Sequence, residues 1–196
     1  MDALRTFIAV EIPPAILDQV AEIQTQLKAA LPGHVIRWTK PDGIHLTLKF
    51  LGQTPNDQID LIVSTLRAAV AVQPAFTLEV SGAGCYPNVH QPRVVWIGIH
   101  EEQAAHHLRT LQHAVEAATE PLGYPIERRE FSPHLTLGRV AQDMRPADLK
   151  KIGEAISSAG VGVLGRFAVK HVALIKSDLQ PHGALYSVLA SAPLKM

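Results

Sequence analysis

Apolar and polar positions alternate along this chain with two different periods. The opening run LRTFIAVEI is short, apolar and stopped by Pro13 and Pro14, which predicts a strand. Beyond it, Ile16, Leu17, Val20, Ile23 and Leu27 keep helical spacing until Pro32-Gly33 closes the segment. HVIRWT and IHLTLKFLG read as strands, and PNDQIDLIVSTLRAAVAV as a helix capped by Asn56 or Asp57. AFTLEVSGAGCY and PRVVWIGIH predict two more strands, and EEQAAHHLRTLQHAVEAATEPLG a third helix. FSPHLTLGRV is again strand-like, and RPADLKKIGEAISSAG a short helix. GRFAVKHVALIKSD and ALYSVLASAPL predict a closing hairpin turned at LQPHG. Helices and strands mix without regular βαβ alternation, so the predicted class is α+β. No linker or low-complexity tract divides the chain, and residues 1–196 read as one domain.

One word is repeated. HLTL occupies 45–48 and returns at 134–137, once in each half, which points to pseudo-twofold architecture. Side chains alternate on a strand, so His45 and Thr47 share one face while Leu46 and Leu48 share the other. The same holds for His134 and Thr136 against Leu135 and Leu137. If the two strands lie side by side about a twofold axis, two imidazoles and two hydroxyls line one groove. One neutral imidazole can take a proton from water, and one protonated imidazole can give a proton to a leaving alkoxide. An unperturbed histidine pKa near 6.5 would make both states accessible near neutrality. The hydroxyls can donate to the nonbridging oxygens of a phosphate held between them.

Composition narrows the partners. Lys and Arg number 18, Asp and Glu 18, and the net charge is zero with histidines neutral. A protein that grips long nucleic acid through counterion release is usually clearly basic, so a small substrate or the end of a larger one fits better. The single cysteine, Cys85, cannot close an internal disulfide and reads as a small buried hydrophobe. The N-terminus lacks the charge-then-apolar pattern of a secretion signal, and no apolar run reaches membrane-spanning length. A cytoplasmic monomer without membrane or metal partner is expected.

The segments RWTKPDGIHLTLKFLG, PRVVWIGI, FSPHLTLGRV and LIKSDLQPHGALYSVLASAPL resemble the two-histidine phosphoesterases. Within them the chain is most similar to the bacterial RNA 2′,3′-cyclic phosphodiesterases, historically called 2′-5′ RNA ligases. The resemblance implies a bilobal, pseudo-twofold fold, two antiparallel sheets facing a central cleft with helices outside. It implies metal-independent, cofactor-free opening of a 2′,3′-cyclic phosphate on an RNA end to a 2′-phosphate, with weak reversible 2′-5′ joining. It makes His45 and His134 catalytic and gives phosphate-binding roles to Thr47, Thr136 and Arg139. Arg139 lies five residues after His134, so a regular strand would turn it to the wrong face. Gly138 could supply a bulge that re-aims it. The leaving group would be the ribose 3′-oxygen, with His45 as acid toward it and His134 as base toward water.

Other residues could take part. By parity Lys49 belongs on the groove side, where it would add positive charge. Trp38, Phe50, Tyr86 and Tyr186 could stack on a base. Trp38 is the preferred stacker because it precedes the loop into the first motif, whereas Phe50 has the parity of Leu46 and Leu48 and should pack. His106, His107 and His113 read as a solvated helix face, without a Glu or Cys to complete a zinc motif. His182, in the closing turn, could touch substrate. Three other functions compete. The same chemistry could act on a small cyclic nucleotide or a 2′-5′ oligonucleotide. The fold could serve as a non-catalytic RNA-binding module. A metal phosphoesterase would need more carboxylates than Asp42 and Glu130 near the motifs.

Overall fold

The computed structural model describes residues 3–101, 106–180 and 183–195. Nine strands and four α-helices are seen among them. In chain order they are β1 (Ala3–Glu11), α1 (Pro14–Ala30), β2 (Ile36–Trp38), β3 (His45–Pro55), α2 (Ile59–Val70), β4 (Phe76–Tyr86), β5 (Val94–Glu101), α3 (His107–Thr119), β6 (His134–Val140), α4 (Pro146–Ser158), β7 (Val163–Val169), β8 (His171–Gln180) and β9 (Gly183–Pro193).

The strands form a four-stranded sheet of order β3-β1-β8-β9 and a five-stranded sheet of order β2-β6-β5-β4-β7. Every strand pairing within them is antiparallel. The α2 and α3 helices pack on the four-stranded sheet, and α1 and α4 on the five-stranded one. The fold is therefore α+β, two antiparallel sheets with helices on their outer faces. No helix among the described residues is long and apolar enough to cross a membrane.

The apolar halves of the repeated word are what the helices cover. Leu46, Leu135 and Leu137 are fully buried and Leu48 nearly so. Such burial is worth about 1.5–3 kcal/mol per side chain. They join a large apolar cluster that takes Ile8 and Leu174 from one sheet and Leu78 and Val95 from the other. A small separate cluster of Phe7, Ala9, Ala173 and Ile175, with Tyr186 packed on it, lies on the opposite face of the four-stranded sheet.

Three sequence expectations change. GRFAVKHVALIKSD is two strands, not one. It breaks at Lys170, and β7 pairs with β4 in one sheet while β8 pairs with β1 and β9 in the other. The apolar pattern hid this crossing, because buried positions run on across it, Phe167 and Val169 in β7 and residues 172–175 in β8. Neither Asn56 nor Asp57 caps α2. They lie in a preceding 3-10 turn, and no side-chain cap bond is made. Finally, β3 and β6 are not neighbours in one sheet. Each belongs to a different sheet, and they approach one another only across the junction between sheets.

Candidate active site

His45 opens β3 and is aimed by the turn that precedes it. Its Nδ1 lies 2.9 Å from the carbonyl oxygen of Gly43, at the end of a 3-10 turn. Phe7 of β1 stacks on the imidazole at 4.4 Å, and Tyr186 of β9 meets it edge-on at 5.1 Å. A Cβ at position 43 would lie 3.0 Å from the Tyr186 ring, a tight contact that glycine avoids. This burial drives the His45 pKa down to about 4, opposed only partly by the Gly43 carbonyl.

His134 opens β6 in the same manner. Its Nδ1 is 2.7 Å from the carbonyl oxygen of Ser132, again two residues upstream. Tyr86 of β4 meets the ring edge-on at 5.0 Å, and its hydroxyl is 2.5 Å from Ser132 Oγ. Burial lowers the His134 pKa, the Ser132 carbonyl opposes this, and the charges of Arg129 and Arg139 lower it further. In both rings the carbonyl acceptor assigns the proton to Nδ1. Each neutral imidazole is left with a basic Nε2 that no described residue engages.

Bulges in the two motif strands decide where the residues beyond each histidine point. In β3, Ala9 of β1 stands opposite Thr47 and Ile8 opposite Lys49, so Leu48 is the extra residue. In β6, Trp96 stands opposite Thr136 and Val95 opposite Gly138, so Leu137 is extra. The same letter of the repeated word bulges twice. A bulge reverses the alternation of side chains beyond it. Arg139, in register with Val94, therefore returns to the face of Thr136 and Trp96. Its charge acts on both His134 and Tyr186. Tyr186 touches His45, so the charge of Arg139 is felt in the surroundings of both histidines. Neither Thr47 nor Thr136 spends its hydroxyl on a hydrogen bond to another described residue, and both are half-buried.

The same bulge moves two residues away from where parity put them. Lys49 does not line the groove. It is buried on the helix side, paired with Glu116 of α3 and donating to the carbonyl oxygen of Pro125 at 2.8 Å. Phe50 is 66% exposed rather than packed, and its ring lies 6.0 Å from Phe7 on the cleft face. Trp38, the expected base stacker, stands opposite Gly138 on β6 and packs on the main core with Lys28 of α1 5.6 Å over its ring. It faces α1, so the aromatic rings beside the histidines are Phe7, Tyr186 and Tyr86 instead. His182 lies outside the described residues. Of the three histidines expected on one helix, His106 precedes α3, and His107 is only partly exposed. It bonds Glu101 Oε1 through Nδ1 at 2.8 Å and stacks on Phe76. No group of His, Cys, Asp and Glu arranged to hold a metal occurs among the described residues.

Some supporting residues had no signal in the sequence. Gln24 of α1 is buried, and its Nε2 donates to the carbonyl oxygens of Thr39 and Leu137, each at 2.9 Å. It thus fastens the approach to the first motif to the bulge of the second. Trp96 packs closely against Gly84, where a Cβ would fall 2.4 Å from the indole. Only the pairing of β4 with β5 reveals that contact.

Comparison with known proteins gives this duplicated site a lineage. A family model described as LigT like Phosphoesterase matches residues 10–96 and again residues 97–186, one copy of HLTL in each match. The chain belongs to the LigT-like phosphoesterases. A relative from Methanothermobacter thermautotrophicus, named RNA 2′,3′-cyclic phosphodiesterase, is 30% identical over 94% of this phosphoesterase and 95% of its own length. One of the same name from Methanocaldococcus jannaschii is 31% identical over 95% of this chain and 98% of its own. Among solved structures, the phosphoesterase superposes on TT0787 of Thermus thermophilus with a TM-score of 0.77, at 27% identity and 98% coverage of both chains. E. coli LigT complexed with 3′-AMP shares the fold at a TM-score of 0.75, with 24% identity and 99% of both chains covered.

Proposed function

We propose that this phosphoesterase hydrolyses a 2′,3′-cyclic phosphate at the end of an RNA to a 2′-phosphomonoester. The observation that carries the reading is the matched pair of imidazoles, each held at Nδ1 by a carbonyl two residues upstream and each free at Nε2. Curated relatives about 30% identical over nearly their whole length carry the name of that activity. Each half supplies one of the two histidines, and the two-lobed chain is proposed to act as a single catalytic unit.

In the proposed reaction, water attacks phosphorus in line with the ribose 3′-oxygen. His134 Nε2 accepts the water proton as the new P–O bond forms. The bond from phosphorus to the 3′-oxygen breaks, and His45 Nε2–H gives that oxygen a proton. Thr47 and Thr136 donate to nonbridging oxygens, and Arg139 balances their charge. With the 5′-hydroxyl of a second RNA end attacking in place of water, the same steps would break the bond to the 3′-oxygen and join the two ends by a 2′-5′ phosphodiester.

The lowered pKa values fit this scheme once the substrate's charge is counted. Burial favours the neutral form of both rings near pH 7, which suits His134 as base. A phosphate anion about 4 Å from His45 stabilises the protonated ring by about 4 kcal/mol at an effective dielectric constant near 20. Since a tenfold change in protonation corresponds to about 1.4 kcal/mol, that field is enough to raise a pKa of about 4 to near neutrality. The substrate itself would thus charge the acid.

End-group analysis of products from a short RNA bearing a 2′,3′-cyclic phosphate tests the proposal. A 2′-phosphate product, formed equally in the presence of excess EDTA, is expected. A 3′-phosphate product, or an unchanged cyclic end, would overturn it.

A further inference from the structure

Arg37 and Arg139 are directly opposite one another on the paired strands β2 and β6. Both are exposed, and neither has a carboxylate partner among the described residues. Directly opposed like charges on neighbouring strands destabilise a sheet. Nothing in the fold offsets this pair: Ile36 and Trp38, the flanking residues of β2, face the core instead. Because β2 is the edge strand of its sheet, the arginine pair carries positive charge from the cleft to the sheet edge. Arg5 and Arg129 extend this charge around the site, Arg5 acting on Tyr186 and Arg129 on His134. The chain as a whole is neutral, so this cluster is local.

We infer that Arg37 binds the phosphodiester on the 5′ side of the terminal nucleotide, so that the site takes the end of an RNA strand in preference to a mononucleotide. The inference rests on the proposed function and specifies its substrate. Neighbouring strands lie about 5 Å apart, so the two guanidinium groups can each reach one of two consecutive phosphates. Arg139 then serves the reacting phosphate, and Arg37 the next one along the chain. An arginine fork suits this task, as it pairs two phosphate oxygens at once.

The test compares a 2′,3′-cyclic mononucleotide having a free 5′-hydroxyl with a dinucleotide ending in the same cyclic nucleotide. In the wild type, kcat/KM should favour the dinucleotide. In Arg37→Ala that preference should fall about tenfold through KM, with Arg37→Lys between the two. The Arg37→Ala melting temperature should not drop, because the substitution relieves a like-charge pair. A second arm measures binding of a labelled oligoribonucleotide ending in a 2′-phosphate, which needs no turnover. There the salt dependence of log affinity should shrink by about 0.7 in Arg37→Ala, one single-strand phosphate contact. An unchanged preference with an unchanged salt slope overturns the role of Arg37. If the wild type turns over neither substrate, the proposed function fails, and the binding arm alone decides the role of Arg37.

Discussion

Lys49 of the first motif strand is buried against Glu116 of α3. The carboxylate also receives Gln112 Nε2 at 3.1 Å and the backbone N–H of Glu127 at 3.3 Å. Lys49 itself holds the Pro125 carbonyl oxygen. One pair therefore joins the strand of His45 to the segment leading toward His134. Breaking such a buried pair from one side leaves an uncompensated charge and costs about 3–5 kcal/mol. Lys49→Met and Glu116→Gln should each lower stability by that order in urea unfolding, and the double variant Lys49→Met/Glu116→Leu should recover much of it. Losses under about 1 kcal/mol for either single variant would show that the pair does not carry this load.

His45→Ala and His134→Ala should each slow turnover of a cyclic-phosphate RNA end by about 10²–10⁴-fold, the usual worth of one acid or base group. Far-UV circular dichroism and melting temperature should stay near wild type, since each ring opens a strand outside the main apolar core. A variant retaining near-normal rates would remove that histidine from the mechanism.

The pH–rate profile of kcat/KM should be a bell centred below pH 6.5. Both imidazoles titrate below that value in the free protein, His45 near 4, and one must be protonated while the other is not. The kcat profile should lie at higher pH, because bound phosphate raises both. Tyr186→Ala, which opens the ring to water, should move the His45 pKa back toward 6.5 in an NMR titration. A kcat/KM optimum above about pH 8 would contradict the burial argument.

Stability should carry the same signature. A folded-state pKa near 4 against 6.5 unfolded means the unfolded chain binds the extra proton first. Stability is therefore lost as pH falls from about 6.5 and levels off below about 4. The loss is at most about 3 kcal/mol, less whatever solvent screening the open cleft provides. His45→Asn should flatten this part of the curve in urea unfolding measured at about pH 4 and about pH 7. An equal pH dependence in that variant would assign the effect to other groups.

Gly138, next to the bulge that returns Arg139 to the cleft, lets the edge strand β2 approach β6 closely. A Cβ at that position would fall 2.6 Å from Ile36 Cγ2 and 2.9 Å from the Arg37 carbonyl oxygen. Gly138→Ala should cost about 1–3 kcal/mol in stability and raise KM by displacing β2. Unchanged stability and KM would mean that the strand yields without cost.

The amino-acid sequence alone determined the repeated polar face and most of the elements, though not the break at Lys170 between β7 and β8. Alternation placed His45 and Thr47 opposite Leu46 and Leu48, and burial follows that pattern in both copies. It also determined the lineage, because the doubled motif and its flanks are local words. What it could not determine is everything beyond Leu48 and Leu137. Those bulges arise from register against β1 and β5, strands distant in sequence, and they alone put Lys49 in the core, Phe50 in the cleft and Arg139 beside His134. Tertiary structure likewise decided which aromatic rings flank the histidines and how far their pKa values fall. Both depend on desolvation by residues such as Phe7, Tyr186 and Tyr86, whose contact with the motifs no local pattern records.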